Sequence, residues 1–309
     1  MHLNLNIQNE TSKLKTVVLG RPCIETDISL ENVYDAKSYY FLKNKNYPSK
    51  RNIKKQISSF EEILKKYGVQ IYRPKLTKNC NLIFSRDVAF VIDDMIIYSK
   101  MVKDRQNEQI AYSHILGNIS HNKIINFPSD ASIEGGDVIL YNDIIFLGIY
   151  KGNNFDQIKT ARTNRYAYHY LKELCPHKHI IPIELKKNDF DPYKGTLHLD
   201  CAFMPISGNK AILYRDSLKN KKDYYTILEV FGEKNILYID NNEAFSLHSN
   251  LLSISPQVIV SDISFMRVNS FLQNEWGLTV ETTPYTEISK MGGLFRCSTL
   301  PLERIDDHV

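Results

Sequence analysis

Short runs of Val, Ile and Leu recur along the whole chain, each of strand length and each bounded by Gly, Pro, Asn or Asp. They begin at Thr16, Val69, Val88, Met95, Asp137, Ile144, His179, Lys210, Asn235 and Gln257. Two pairs, VAFVI-DD-MIIYS and DVILY-ND-IIFLG, are separated by only two polar residues, which predicts antiparallel hairpins and excludes a purely parallel doubly wound sheet. Apolar stripes at helical spacing lie between the strands. Ile53, Ile57, Phe60, Leu64 and Tyr67 form one, stopped by Gly68. Tyr166, Tyr170, Leu171 and Leu174 form a second, and Tyr224, Ile227, Leu228 and Phe231 a third; a fourth helix is expected over Ser264 to Trp276. Strand, hairpin and single helix repeat with no linker between them. This predicts one α/β domain over 1–309, built from ββαβ-like units that share architecture but no residue-level similarity.

Charge and cysteine usage narrow the function class. The 39 basic and 35 acidic residues leave a net charge of +4, spread without a basic arm or face, which argues against a nucleic-acid partner. No apolar run approaches the roughly 20 residues of a membrane span, and the first residues do not read as a secretory leader. The expectation is a soluble cytoplasmic protein. Five scattered cysteines without a CxxC pair argue against a disulfide framework and a structural zinc site. Cys175, His177 and His179 alternate as soft ligands, but a helix-to-strand connection explains them better. Cys23, Cys80 and Cys201 are expected to be ordinary thiols, and Lys186, Lys187 and Lys219 to Lys222 to be solvated loops.

Four polar clusters interrupt the apolar runs at their ends: Phe84-Ser85-Arg86-Asp87, Glu134-Gly135-Gly136-Asp137, His198-Leu199-Asp200 and Gly292-Gly293-Leu294-Phe295-Arg296-Cys297. Each alone reads as turn chemistry. Together they supply a nucleophile (Cys297), an acid/base pair (His198 with Glu134) and carboxylates for a cationic substrate (Asp87 and Asp200). If residues 198–200 are extended, His198 and Asp200 face the same way. There is no GxSxG, GxxxxGK[ST] or GxGxxG, so serine-hydrolase, nucleoside-triphosphatase and dinucleotide readings lack a motif.

From LKTVVLGRP at Leu14 through SRDVAFV, EGGDVI, ARTNR and HLDCAF to GGLFRCSTLPLER, the chain resembles the guanidino-group-modifying superfamily of arginine deiminases, dimethylarginine dimethylaminohydrolases, agmatine deiminases and amidinotransferases. The resemblance implies a five-bladed α/β propeller, the pentein fold, of ββαβ units around a central pocket. It also implies that Cys297 is the nucleophile, His198 the general acid/base and Glu134 its partner. Asp87 and Asp200 would clamp the guanidinium, and Arg162, with Arg105 in a second such role, would bind a substrate carboxylate. The second and last motifs look most like deiminase-type hydrolases acting through a covalent thiouronium. The alternatives are an amidinotransferase and a propeller that binds a guanidino ligand or a protein without turnover. No metal or organic cofactor is expected, because side chains supply every role; the partner is a small guanidino or ureido molecule, and a homodimer is left open.

Overall fold

The computed structural model describes residues 3–24 and 28–306. Among them lie five three-stranded sheets with one shared plan. In each, two antiparallel strands are followed by a helical crossover that returns a third strand parallel to the middle one. The first blade holds β1 (Lys13–Leu19), α1 (Ala36–Lys43), α2 (Lys50–Lys66) and β2 (Gln70–Tyr72). The second begins with a one-turn helix, α3 (Ser85–Val88), then β3 (Ala89–Ile92), β4 (Met95–Tyr98), α4 (Ser113–Leu116) and β5 (Ile124–Asn126). The third holds β6 (Val138–Tyr141), β7 (Ile144–Ile149), α5 (Arg165–Leu174) and β8 (His179–Glu184). The fourth holds β9 (Phe203–Ile206), β10 (Lys210–Leu213), α6 (Lys221–Phe231) and β11 (Ile236–Tyr238). After α7 (Asn241–Phe245), the fifth comprises β12 (Leu252–Ser255), β13 (Val258–Asp262), α8 (Met266–Asn274) and β14 (Thr279–Thr283). A further short helix, α9 (Thr286–Ser289), leads into β15 (Thr299–Ile305), which pairs antiparallel with β1. The last strand thus completes the first blade and closes a five-bladed propeller.

Local chemistry accounts for these elements. The two-residue hairpin turns at Asp93 and Asn142 take positive φ of 53°, which Asp and Asn tolerate better than most residues. Ser49 caps α2 by accepting from Asn52 N at 3.2 Å, and Gly68 ends the helix region at φ 70°. Ile53, Ile57, Phe60 and Leu64 on α2 are buried, as their spacing predicts. Phe60 packs edge-on against Phe295 at 5.0 Å and Tyr285 at 5.5 Å, while Tyr285 stacks on Phe295 at 4.4 Å. Truncating such a buried ring costs about 3–5 kcal/mol, so this aromatic cluster fixes the turn that carries Cys297.

Several expectations are corrected. β5, β9, β12, β14 and β15 lacked a recognised run. Val88 lies in α3 and Asp137 in a 3₁₀ turn rather than on strands, because the chain bends sharply just before each blade. Residues 199–201 likewise form a 3₁₀ turn, so His198 and Asp200 do not alternate on an extended strand. Lys221 and Lys222 open α6 instead of sitting in a loop. Lys187 donates to the Thr196 and Leu197 carbonyls at 3.0 and 2.6 Å, tethering the segment that precedes His198.

Candidate active site

Every blade presents a tight turn immediately before its first strand, and the polar clusters sit there. Asp87 comes from α3, Asp137 from the 3₁₀ turn Gly135–Asp137 with Glu134 just before it, and Asp200 from the 3₁₀ turn Leu199–Cys201 with His198 just before it. Ser249 and Asn250 precede β12, and Cys297 precedes β15. The propeller's closure gathers these turns from five distant stretches. Asp87, Glu134, His198, Asp200 and Cys297 are all buried.

One half of the site surrounds the imidazole. His198 Nε2 lies 2.9 Å from Glu134 Oε2, and its Nδ1 lies 3.7 Å from Asp87 Oδ1. Burial opposes a charge on the ring, but Asp87, Glu134 and Asp137 outweigh it and raise the pKa above the usual histidine value. A Cβ on Gly136 would stand 2.6 Å from the His198 ring, so glycine is required for the ring to sit there. Asp137 supports the turn by accepting from Leu199 N at 3.0 Å and Thr163 Oγ1 at 2.7 Å.

The other half surrounds the thiol. Cys297 Sγ donates to Asp200 Oδ2 at 3.5 Å and accepts from Asn250 Nδ2 at 3.2 Å. Asn250 Oδ1 accepts from Cys297 N at 3.1 Å and Leu294 N at 3.2 Å. Two main-chain donors fix that oxygen and therefore aim the amide nitrogen at sulfur. Cys201 Sγ bonds to the same carboxylate, at 3.5 Å from Oδ1, and the Asp200, Cys201 and Cys297 ligand atoms all lie within 4.8 Å of one another. The Cys297 thiol is pushed well above its ordinary pKa by its bond to Cys201, by burial and by the Asp200 and Asp87 charges. Cys201 is therefore a neighbour of the nucleophile candidate, not the ordinary thiol expected.

Three arginines from the chain hold the site's carboxylates. Arg162 Nη1 bonds Glu134 Oε2 at 2.7 Å, with Nε on Lys159 O and Nη2 on Tyr34 O. Arg105 bonds Asp87 Oδ2 at 2.7 Å and grips Glu108 through Nε and Nη2 at 2.9 and 2.8 Å. Arg296 spans Asp200 Oδ2 at 2.8 Å and Glu10 Oε1 at 2.7 Å. Burial raises the Glu134 carboxyl, but Arg162 and His198 prevail and hold it well below its usual range. The guanidinium groups that the resemblance assigned to a substrate carboxylate are thus bonded in this structure to acidic side chains and main-chain carbonyls. Asp87, Glu134 and His198 also have ligand atoms within 4.8 Å of one another. A metal at either cluster would compete with Arg105 and Arg162 or with Arg296 for the same carboxylates.

Sequence reasoning missed Asn250, Cys201, Glu10 and the bridging role of Arg296. A signal for Asn250 was present: it occupies, before the fifth hairpin, the place that Asp87, Asp137, Asp200 and Cys297 occupy before theirs. Glu10 has no motif, and only the tertiary fold brings it to Arg296.

Residues 24–304 match the family described as N,N dimethylarginine dimethylhydrolase, eukaryotic. The uncharacterized Bacillus subtilis protein YkgA is 28% identical over 301 residues, covering 96% of this chain and 94% of YkgA. An arginine deiminase of Oenococcus oeni is 23% identical; the match covers 73% of this chain and 61% of the deiminase. Among solved structures, the product-bound N-terminal domain of the cyanobacterial arginine dihydrolase ArgZ superposes with a TM-score of 0.76 at 17% identity, covering 94% of this chain and 98% of that domain. SxtG, an amidinotransferase from Microseira wollei, gives 0.74 at 18% identity, with 97% of each chain covered. These structural likenesses show the pentein propeller fold.

Proposed function

The chain belongs to the N,N dimethylarginine dimethylhydrolase family of guanidino-modifying enzymes, and from that premise we propose that it is a cysteine-dependent hydrolase of a guanidino compound related to arginine. The observation that carries this reading is a pair of buried orphans, Asp87 Oδ1 and His198 Nδ1. Neither has a hydrogen-bond partner, and they lie 3.7 Å apart. Buried polar atoms are rarely left unpaired. A guanidinium N–H would satisfy the Asp87 oxygen and bring a nitrogen within reach of the His198 ring.

In this mechanism Asp87 and Asp200 hold the planar cation and orient its central carbon toward Cys297. The free thiol is protonated, so bound guanidinium serves a second purpose: it offsets the carboxylate charges that keep the proton on sulfur. Sulfur gives up its proton to solvent by way of Asp200, which accepts its hydrogen bond, and attacks the carbon. The tetrahedral adduct collapses as His198, held protonated by its acidic neighbours, passes a proton to the departing nitrogen. A planar thiouronium remains on Cys297. Neutral His198 then takes one proton from water as the oxygen adds to the carbon; the carbon–sulfur bond breaks, and the remaining hydroxyl proton returns to sulfur as the ureido product leaves. Glu134 keeps the imidazole oriented throughout, itself steadied by Arg162.

Side chains supply the nucleophile, proton shuttle and charge clamp, so the proposed reaction needs no metal or organic cofactor. We take residues 1–309 as one catalytic domain acting in the cytoplasm on a small molecule, a compartment suited to the five free thiols. The test is incubation of the protein with arginine and Nω-methylarginines, without an amine acceptor. The expected result is steady release of ammonia or alkylamine and a trapped mass adduct on Cys297 that Cys297→Ser lacks. A one-equivalent burst that stalls until an amine is added would assign the transferase reaction instead.

A further inference from the structure

Cys297 has a second thiol beside it. The Sγ atoms of Cys201 and Cys297 lie within 4.8 Å of each other, and both donate to one carboxylate, Cys201 to Asp200 Oδ1 and Cys297 to Asp200 Oδ2, each at 3.5 Å. They come from different blades: Cys201 ends the 3₁₀ turn before β9, and Cys297 precedes β15. Disulfide sulfurs stand about 2.0 Å apart, so less than about 3 Å of side-chain movement and two weak thiol hydrogen bonds separate this pair from a covalent bond. The two thiols face different spaces. Cys201 lines a cavity of about 40 Å³, partly open to solvent, whose walls do not include Cys297. A water needs about 10–15 Å³, so the cavity has room for a molecule of the size of hydrogen peroxide. Lys37 stands on the same wall; burial brings its pKa down to about 7, and Cys201 partly resists that pull, so ammonium and sulfur are close enough to interact. The contact between the sulfurs favours a thiolate on Cys201 and opposes one on Cys297. Burial and the Asp200 charge still leave Cys201 above its ordinary pKa, so both rest as thiols, Cys201 being the readier to ionise.

We propose that Cys201 and Cys297 form a disulfide when hydrogen peroxide reaches them, and that this bond switches the nucleophile off reversibly. The Cys201 thiol gives up its proton and its sulfur attacks one peroxide oxygen; the O–O bond breaks, and the departing hydroxide takes up that proton to leave as water. The Cys297 sulfur then attacks the Cys201 sulfenic sulfur, the S–O bond breaks, and the leaving hydroxide takes the Cys297 proton as a second water. Two thiols lose two electrons and two protons, and peroxide becomes two waters. A dithiol reductant reverses the change. That the bond stops turnover rests on the reading of Cys297 as nucleophile; that it forms does not. The second thiol also spares the first the irreversible step from sulfenic to sulfinic acid.

In the test, intact protein is exposed to hydrogen peroxide, its remaining thiols are blocked with iodoacetamide, and the digest is mapped by mass without reduction. The expected result is one cross-link joining the Cys201 and Cys297 peptides, two hydrogens lighter than the separate pair, with Cys23, Cys80 and Cys175 alkylated. Turnover should fall at least about tenfold and return to within about twofold of the untreated rate on adding dithiothreitol. Cys201→Ala should give no cross-link, and turnover that it loses to excess peroxide should stay lost after dithiothreitol, with sulfinic acid on Cys297. In Cys297→Ser the Cys201 sulfenic acid has no partner and should be labelled by dimedone. Absence of the cross-link from peroxide-treated wild type, whether Cys297 stays a thiol or becomes sulfinic acid, would overturn the proposal. So would a loss in Cys201→Ala that dithiothreitol reverses as fully as in the wild type. The hydrolase reading fails separately, if the cross-link forms in a protein that, before oxidation, releases no ammonia or alkylamine from arginine or its methylated forms.

Discussion

Asn250→Asp isolates one hydrogen bond at the sulfur. The aspartate keeps the oxygen that accepts from Cys297 N and Leu294 N, so the turn stays tethered, but it exchanges the Nδ2 donor 3.2 Å from Cys297 Sγ for an acceptor. A hydrogen bond to a charged group contributes about 1.5–3 kcal/mol, so losing it should raise the Cys297 titration by about one to two pH units. A carboxylate at that distance adds repulsion of about 5 kcal/mol at an effective dielectric of about 20. The variant escapes part of this by keeping its new carboxyl protonated, so tenfold is the floor of the effect. The assay is alkylation of Cys297 by iodoacetamide across pH 6 to 10, with and without a guanidinium ligand that has no leaving group, alongside kcat/KM. In the wild type the ligand should accelerate alkylation at neutral pH, apart from any steric blocking, because it favours the thiolate. In Asn250→Asp the alkylation profile should move to higher pH and kcat/KM should fall at least tenfold. A folded variant with alkylation and kcat/KM within threefold of wild type would refute the donor's role. A fast, pH-independent alkylation of the free wild-type enzyme would refute substrate-assisted ionisation altogether.

Cys201→Ala removes the largest influence holding the Cys297 proton in place, so the free variant should be alkylated at Cys297 faster than wild type near neutral pH; an unchanged or slower rate would count against the coupling of the two sulfurs. Burial raises the Glu10 carboxyl, but Arg296 and Arg86 overcome it and lower its pKa from 4.5 to about 2, equivalent to about 3 kcal/mol. This contribution is present above pH 4.5 and is lost as pH falls toward 2. Glu10→Gln should therefore lower stability at pH 7 and flatten the decline between pH 4.5 and 2 in denaturant titrations; a parallel decline in both proteins would exclude Glu10 as a source of acid sensitivity.

The sequence by itself determined the blade plan. The apolar runs at Val88 and Met95, and at Asp137 and Ile144, had to pair because two residues tolerant of positive φ are all that separates them. The stripe from Ile53 to Leu64 had to bury one face, and α2 does. The order of SRD, EGG, HLD and RCS along the chain carried the resemblance, and with it the candidates Asp87, Glu134, His198, Asp200 and Cys297. Local pattern could not report what the closed propeller juxtaposes. Glu10 and Arg296 are 286 residues apart and meet because β15 returns to pair with β1. Cys201 and Asn250 sit beside Cys297 because three different blades turn inward at one point. His198 and Asp200 part company because a 3₁₀ turn rotates successive residues by about a third of a circle where a strand alternates them. Arg105 and Arg162 are bonded to the site's own acids because burial leaves a guanidinium no favourable state without a carboxylate or carbonyl beside it. Such pairings are settled by desolvation in three dimensions, and nothing in the spacing of residues along the chain records that term.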